Sequence, residues 1–245
     1  MARIRILQTY IDNLNMSETL SKVFEAIDQN KQIHHVVVNA GKIVAMQTDQ
    51  RLRQSVNKSD LINADGQAVV WASRFLGKPL KERVAGIDLM TKLVESAHKN
   101  GHKVFFFGAK EEIVKKVVDK YSREYSKDLI AGYRNGYFKK VDEKQIAKQI
   151  ADSGANILFV GISSPTKENF LYENREVLNK VNFIMGVGGS FDVVAGKVKR
   201  APKWMQRMGL EWFYRFAQEP KRMWKRYLIG NSKFILLVLR ARFKF

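Results

Sequence analysis

The stretch KVFFFGAKEEIVKKVVDKYSREY, residues 103–125, decides the fold. KVFFFGA (103–109) is a short apolar run that ends in a glycine, the pattern of a strand buried on both faces. KEEIVKKVVDKYSREY (110–125) reads as the helix that follows it.

The alternation continues in both directions. Downstream, LIAGYRNGYF (129–138) holds a strand and a loop, and EKQIAKQIADSG (143–154) a helix. NILFVGI (156–162) is a strand, PTKENFLYENREVL (165–178) a helix, and VNFIMGVGG (181–189) the final strand. Upstream, GIDLMTKLVESAHKNG (86–101) has helical spacing at Ile87, Met90, Leu93 and Ala97, and Gly101 stops it. GQAVVWASRFLG (66–77) is a helix closed by Gly77, and DLINAD (60–65) a short strand. GKIVAMQTDQRLRQSV (41–56) reads as one helix and HHVVVNA (34–40) as a buried strand. A helix from about Ser17 to Asn30 and a strand or hairpin near 3–11 complete the chain. Strands alternating with helices predict an α/β fold with a mainly parallel sheet covered on both faces.

After Gly196 the pattern changes. Residues 197–245 contain no clear strand and read as two or three short helices broken at Gly209, Pro220 and Gly230. The division expected is an α/β domain over 1–196 and a helical appendage over 197–245. The appendage holds 14 Lys/Arg against Glu211 and Glu219, and so +12 of the +19 formal charge. Trp204, Trp212 and Trp224 lie there too. A basic, aromatic segment points to a polyanionic partner such as a phospholipid surface, a phosphorylated substrate or nucleic acid. FILLVL (234–239), flanked by Arg240, Arg242 and Lys244, suits a segment lying among lipid headgroups. The alternative is a last helix packed on the core. No signal peptide or spanning helix is expected.

In an open parallel sheet, ligands bind beyond the carboxyl ends of the strands. Those ends carry Asn39, Asp65-Gly66, Gly108-Ala109, the loop with Tyr137, Gly161, and GVGGSFD (186–192) with Gly188, Gly189 and Asp192. Glycines there allow close backbone approach to a ligand. GVGGSFD is not a dinucleotide fingerprint, since Phe191 stands where glycine is needed, and no Walker lysine follows. Asp65 reads either as a turn-former capping the next helix or as a catalytic base. Metal binding is not expected: His34 and His35 are adjacent on a strand, Gly101 separates His98 from His102, and no D-x-D occurs. With no cysteine and no G-x-S-x-G, covalent catalysis is disfavoured.

NADGQAVVWASRFLGKPLKERVAGIDLM (63–90), GVGGSFDVVAGKVKRAP (186–202) and EWFYR (211–215) together resemble the WecG/TagA/CpsF family of bacterial glycosyltransferases, glycosyltransferase family 26. The likeness spans about residues 5–230. It implies a Rossmann-like domain with a C-terminal appendage that engages the inner face of the cell membrane peripherally. It also implies transfer of a sugar from a UDP-sugar to a sugar on undecaprenyl diphosphate, for teichoic acid, capsule or exopolysaccharide synthesis, and no cofactor. The family's A-D-G aspartate, its proposed base, falls on Asp65. The arginine of R-x-x-G-x-[DE]-[LM] falls on Arg83, with Gly86, Asp88, Leu89 and Met90 in register. The family's T-x-N is here Val37-Val38-Asn39, and its P-K-Q-E-x-W is Pro165-Thr166-Lys167-Glu168-Asn169-Phe170. The changes at Val37 and Lys167 bear on the donor sugar and favour a capsule or exopolysaccharide branch, with Lys167 facing an acid or phosphate.

The expected chemistry is a single inverting displacement with Asp65 as base. Arg83, Arg215, Arg222 and Arg226 are expected to meet the leaving group or the lipid diphosphate. A second class of reading is a basic nucleic-acid-binding protein with an inert α/β core. Against it, the tail aromatics sit among helix-spaced apolar residues. A nucleotide-dependent oxidoreductase ranks last for want of its glycine fingerprint. The family resemblance also raises a homo-oligomer.

Overall fold

The computed structural model describes residues 3–243, without the side chains of Arg222, Lys225 and Arg226. A hairpin of β1 (Arg3–Ile6) and β2 (Thr9–Asp12) leads into α1 (Met16–Asp28), β3 (Ile33–Val38), α2 (Ala40–Thr48), α3 (Gln50–Asn57), β4 (Leu61–Ala64) and α4 (Gln67–Phe75). Then come α5 (Gly86–Lys99), β5 (Val104–Gly108), α6 (Glu111–Glu124), β6 (Ile130–Arg134), α7 (Glu143–Ala151), β7 (Ile157–Gly161), α8 (Thr166–Glu173), β8 (Phe183–Gly186) and α9 (Ser190–Val194). The chain ends in α10 (Lys203–Arg207), α11 (Glu211–Gln218), α12 (Pro220–Trp224), a π-helical turn over Lys225–Ile229, and α13 (Gly230–Phe243).

The six central strands are all parallel, in the order β4-β3-β8-β7-β5-β6. Side chains alternate across them. Phe106, Phe159 and Phe183 pack with α1, α5, α6 and α9 on one face. Phe105, Phe107, Leu158 and Ile184 pack with α7 and α8 on the other. On that second face, Val36, Val38 and Ile62 meet α2, α3 and α4, together with Phe234 and Val238 of α13. The expected α/β class with a parallel sheet between helices is therefore observed.

Two expectations about helices are corrected. Residues 41–56 form two helices, not one. Asp49 sits in extended backbone and its side chain accepts from the Leu52 amide at 2.9 Å, so it ends α2 and caps α3. Gly230 does not break the last helix. The chain stays helical from Pro220 to Phe243, passing through one wide π turn. A glycine inside a helix costs about 1 kcal/mol. Burial of Phe234 against the core offers about 2 kcal/mol or more in return. Among the described residues no helix is long and apolar enough to cross a membrane.

Candidate active site

All six strand ends open into one cleft of about 1350 Å³. β3 hands the chain to β4 on one side while β8 is reached from β7 on the other, so the chain connections run outward in opposite directions from the paired strands β3 and β8. Asn39, Asp65, Ala109, Tyr137, Gly161 and Gly186–Ser190 line the cleft from below. Residues of the C-terminal segment, among them Arg200, Glu211, Arg215, Phe234 and Val238, line it from above.

Asp65 follows β4, with its amide bonded to the Val38 carbonyl. It does not cap the next helix, as the simpler reading of the sequence had it. α4 starts at Gln67, and Gly66 before it provides no side-chain cap. Instead Asp65 Oδ1 accepts from the amide of Gly86, the first residue of α5, at 2.9 Å. Ala85 offers α5 no side-chain cap, so an aspartate from β4 supplies one across the fold. That bond fixes the carboxylate through one oxygen and leaves the other for a ligand.

Three charged side chains are buried in the floor. Lys42 Nζ donates to Glu168 Oε1 at 2.8 Å, and Lys167 Nζ lies 3.4 Å from the same oxygen. Lys167 reaches this position because Gly186 has no side chain: a Cβ there would meet Lys167 Cε at 2.4 Å. Burial, with Lys42 beside it, pushes the Lys167 ammonium down to about 8, against the pull of Glu168 and Asp65. Burial pushes the Glu168 carboxyl up, but Lys42 and Lys167 outweigh it and hold it at about 2. Two ammonium groups share one carboxylate, and Asp65 supplies the second negative charge near Lys167, so the four side chains balance in charge.

Arg83 lies three residues before α5 and donates from Nη2 to Glu211 Oε2 at 3.1 Å. Arg215 reaches over the GVGG turn, where a Cβ on Gly189 would meet its Nη2 at 2.9 Å. Asp192 lines the cleft and lies 3.6 Å from Lys197. Asn39 lines it too, but its Oδ1 accepts from the Lys42 amide at 3.0 Å and so caps α2. Tyr137 is a rim residue, 69 % exposed. Gly108 does not line the cleft. Its φ is +136°, and a Cβ would stand 2.5 Å from the backbone of Gly161, so this glycine lets β5 and β7 approach at their ends. The side chains of Arg222 and Arg226 lie outside the described residues.

The histidines on the strands serve structure. His34 Nε2 pairs with Gln32 at 3.1 Å and His35 Nε2 with Asn63 at 2.8 Å. Burial pushes both imidazoles down to about 4.

Away from the charged end the cleft becomes apolar. Ala68, Trp71, Ala72 and Phe75 of α4 face Phe234, Ile235, Val238 and Leu239 of α13. Gly209 closes over this arm against Gln67 and Trp71, where a Cβ would meet Gln67 Cγ at 2.6 Å. Sequence reasoning missed Lys42, Arg200, Glu211 and this apolar arm as parts of the site. Arg200 and Glu211 stood inside the quoted motifs, whereas nothing local marks Lys42.

A carboxylate fixed on a helix end, buried lysines and glycine turns at the carboxyl edge of a parallel sheet make a candidate site for a charged ligand in an α/β protein. The chain belongs to the Glycosyl transferase WecG/TagA/CpsF family, whose model matches residues 4–245, as the motifs led one to expect. It is 42% identical over 185 residues to an N-acetylglucosaminyldiphosphoundecaprenol N-acetyl-beta-D-mannosaminyltransferase of Bacillus subtilis strain 168, covering 76% of this chain and 70% of that protein. A protein of the same name from Bacillus spizizenii strain W23 is 36% identical over 214 residues, 87% of this chain and 81% of its own length.

Proposed function

We propose that this chain transfers a hexose-type sugar from a UDP-sugar to a sugar carried on undecaprenyl diphosphate, with inversion at the anomeric carbon. The observation that carries the reading is the two-part cleft: a charged end around Asp65 runs into an apolar arm between α4 and α13. A nucleotide sugar has no use for the apolar arm, whereas an amphiphilic acceptor does. The names of the two Bacillus relatives, which act on a diphosphoundecaprenol-linked sugar, support the same acceptor class.

Asp65 takes the proton of the acceptor hydroxyl as that oxygen attacks the anomeric carbon. The bond from that carbon to the UDP oxygen breaks in the same step, and the diphosphate leaves with its electron pair. Arg83, Arg215 and the Lys167 ammonium meet the negative charge that develops there. Exposed Trp204, Met208, Phe213, Ile235 and Leu236, among the cations of the C-terminal segment, suit peripheral contact with an anionic membrane surface on the side where nucleotide sugars are present. The product would enter capsule, exopolysaccharide or teichoic acid synthesis.

A donor panel tests the reading. The protein is incubated with an undecaprenyl-diphosphate-linked N-acetylhexosamine and each of several UDP-sugars, and the lipid product is weighed by mass spectrometry. A mass gain of one sugar residue with release of UDP is expected. No gain with any donor, on protein that binds UDP, would overturn it.

A further inference from the structure

Arg83 is not held by its own neighbourhood. Its only ion-pair partner among the described residues is Glu211, 128 positions away at the start of α11. The other oxygen of Glu211 accepts from Arg200 Nε at 2.9 Å. Arg200 turns its remaining two nitrogens to Asp88, Nη2 to Oδ2 at 2.8 Å and Nη1 to Oδ1. Asp88 stands in the first turn of α5. The four side chains form a line, Asp88–Arg200–Glu211–Arg83, that leaves the core, passes through the C-terminal segment and returns to the cleft. The line is charge-neutral and partly buried. Its bidentate Arg200–Asp88 pairing fixes direction as well as distance. Three of its members face the cleft, and only Arg83 stands at its free end with donors to spare.

We propose that Glu211 is a positioning residue for Arg83, so that the seating of residues 200–211 on α5 sets the guanidinium that receives the leaving diphosphate. The proposal rests on the transferase reading above. A detached or shifted C-terminal segment would leave Arg83 without its carboxylate and free to point elsewhere. Transfer then depends on docking of this segment even though Glu211 touches no substrate.

A double-mutant cycle tests this. Wild type, Arg83→Ala, Glu211→Ala and the double variant are compared by kcat, donor KM and melting temperature. Loss of a positioned donor to developing charge lowers turnover by about 10²-fold. Arg83→Ala is expected to show a loss of this order in kcat, and Glu211→Ala about tenfold or more, with smaller changes in donor KM. The double variant should be no worse than Arg83→Ala within about twofold. If the two losses multiply, Glu211 acts elsewhere and the proposal falls while the role of Arg83 stands. If Arg83→Ala keeps full turnover, Arg83 has no such role and both readings fall. A purely structural Glu211 would lower the melting temperature and leave kcat of the folded protein unchanged. Should Glu211→Ala not fold, Glu211→Gln, which keeps the shape and loses the charge, carries the same cycle.

Discussion

The amide of Gly86 donates to the carboxylate of Asp65 across 2.9 Å, joining the end of β4 to the start of α5. One contact thus does two things: it caps a fourteen-residue helix and fixes the orientation of the carboxylate in the cleft. These roles separate by substitution. Asp65→Asn keeps an oxygen for Gly86 and loses the base, so transfer should fall by about 10³-fold with little change in melting temperature. UDP binding, followed by calorimetry, should persist. Asp65→Ala removes the cap as well and should also cost about 1 kcal/mol of stability. Full activity in Asp65→Asn would remove Asp65 from the chemistry.

Glu168 holds two buried ammonium groups, Lys42 and Lys167. Removing one partner from a buried charged set costs about 3–5 kcal/mol, because the charge left behind has neither water nor a counter-charge. Glu168→Ala should therefore lower the urea midpoint strongly. Replacing Lys42 and Lys167 by Met in the same protein should restore much of that loss.

The same trio sets two pH dependences of stability, and in both windows stability rises with pH. Glu168 is held down at about 2 from an ordinary 4.5, so its contribution to stability is full above 4.5 and fades as pH falls toward 2. Lys167 is pushed down to about 8 from 10.5. Its burial weighs on the fold below pH 8, and that weight lifts between about 8 and 10.5. Activity should run the other way. Donor affinity should weaken as pH rises through about 8 and the ammonium is lost, and Lys167→Gln should lack that limb. A wild-type donor KM flat from pH 7 to 9 would count against Lys167 as the anion contact.

Helix α13 has an inner and an outer face. Phe234 and Val238 are buried in the core with α2, while Leu236, which does not line the cleft, is more than half exposed. Phe234→Ala should cost about 3–5 kcal/mol, read by chemical denaturation. Leu236→Ser should leave stability within about 0.5 kcal/mol but weaken co-sedimentation with anionic phospholipid vesicles. Undiminished vesicle binding would place the membrane contact elsewhere.

The sheet was legible because its code is local. A run such as VFFFG followed by a charged amphipathic stretch has few other folds open to it. Asp49 was harder: it falls inside a helical pattern, and only its side chain's competition for the Leu52 amide ends α2. Gly230 was misleading in the opposite sense, because burial of Phe234 and Val238 against residues far back in the chain outweighs a weak local preference. In the site, Asp65 stood out as a carboxylate at a strand end, but its partner Gly86 did not, since that bond spans 21 residues and Gly86 takes part through its backbone amide alone. Lys42, Glu168 and Lys167 meet across more than 120 positions. Their shared charge is a property of the closed fold that no spacing in the sequence encodes.

The first turn of α5 receives Asp65 through Gly86 and anchors the Arg83 line through Asp88. The proposed base and the proposed cation are thereby both tied to the first turn of one helix. Asp65 is at the same time held to the sheet through its own amide and the Val38 carbonyl, so its carboxylate sits at the junction of sheet and helix. A change in where the first turn of α5 rests against the sheet would therefore be felt at both groups together rather than at one of them.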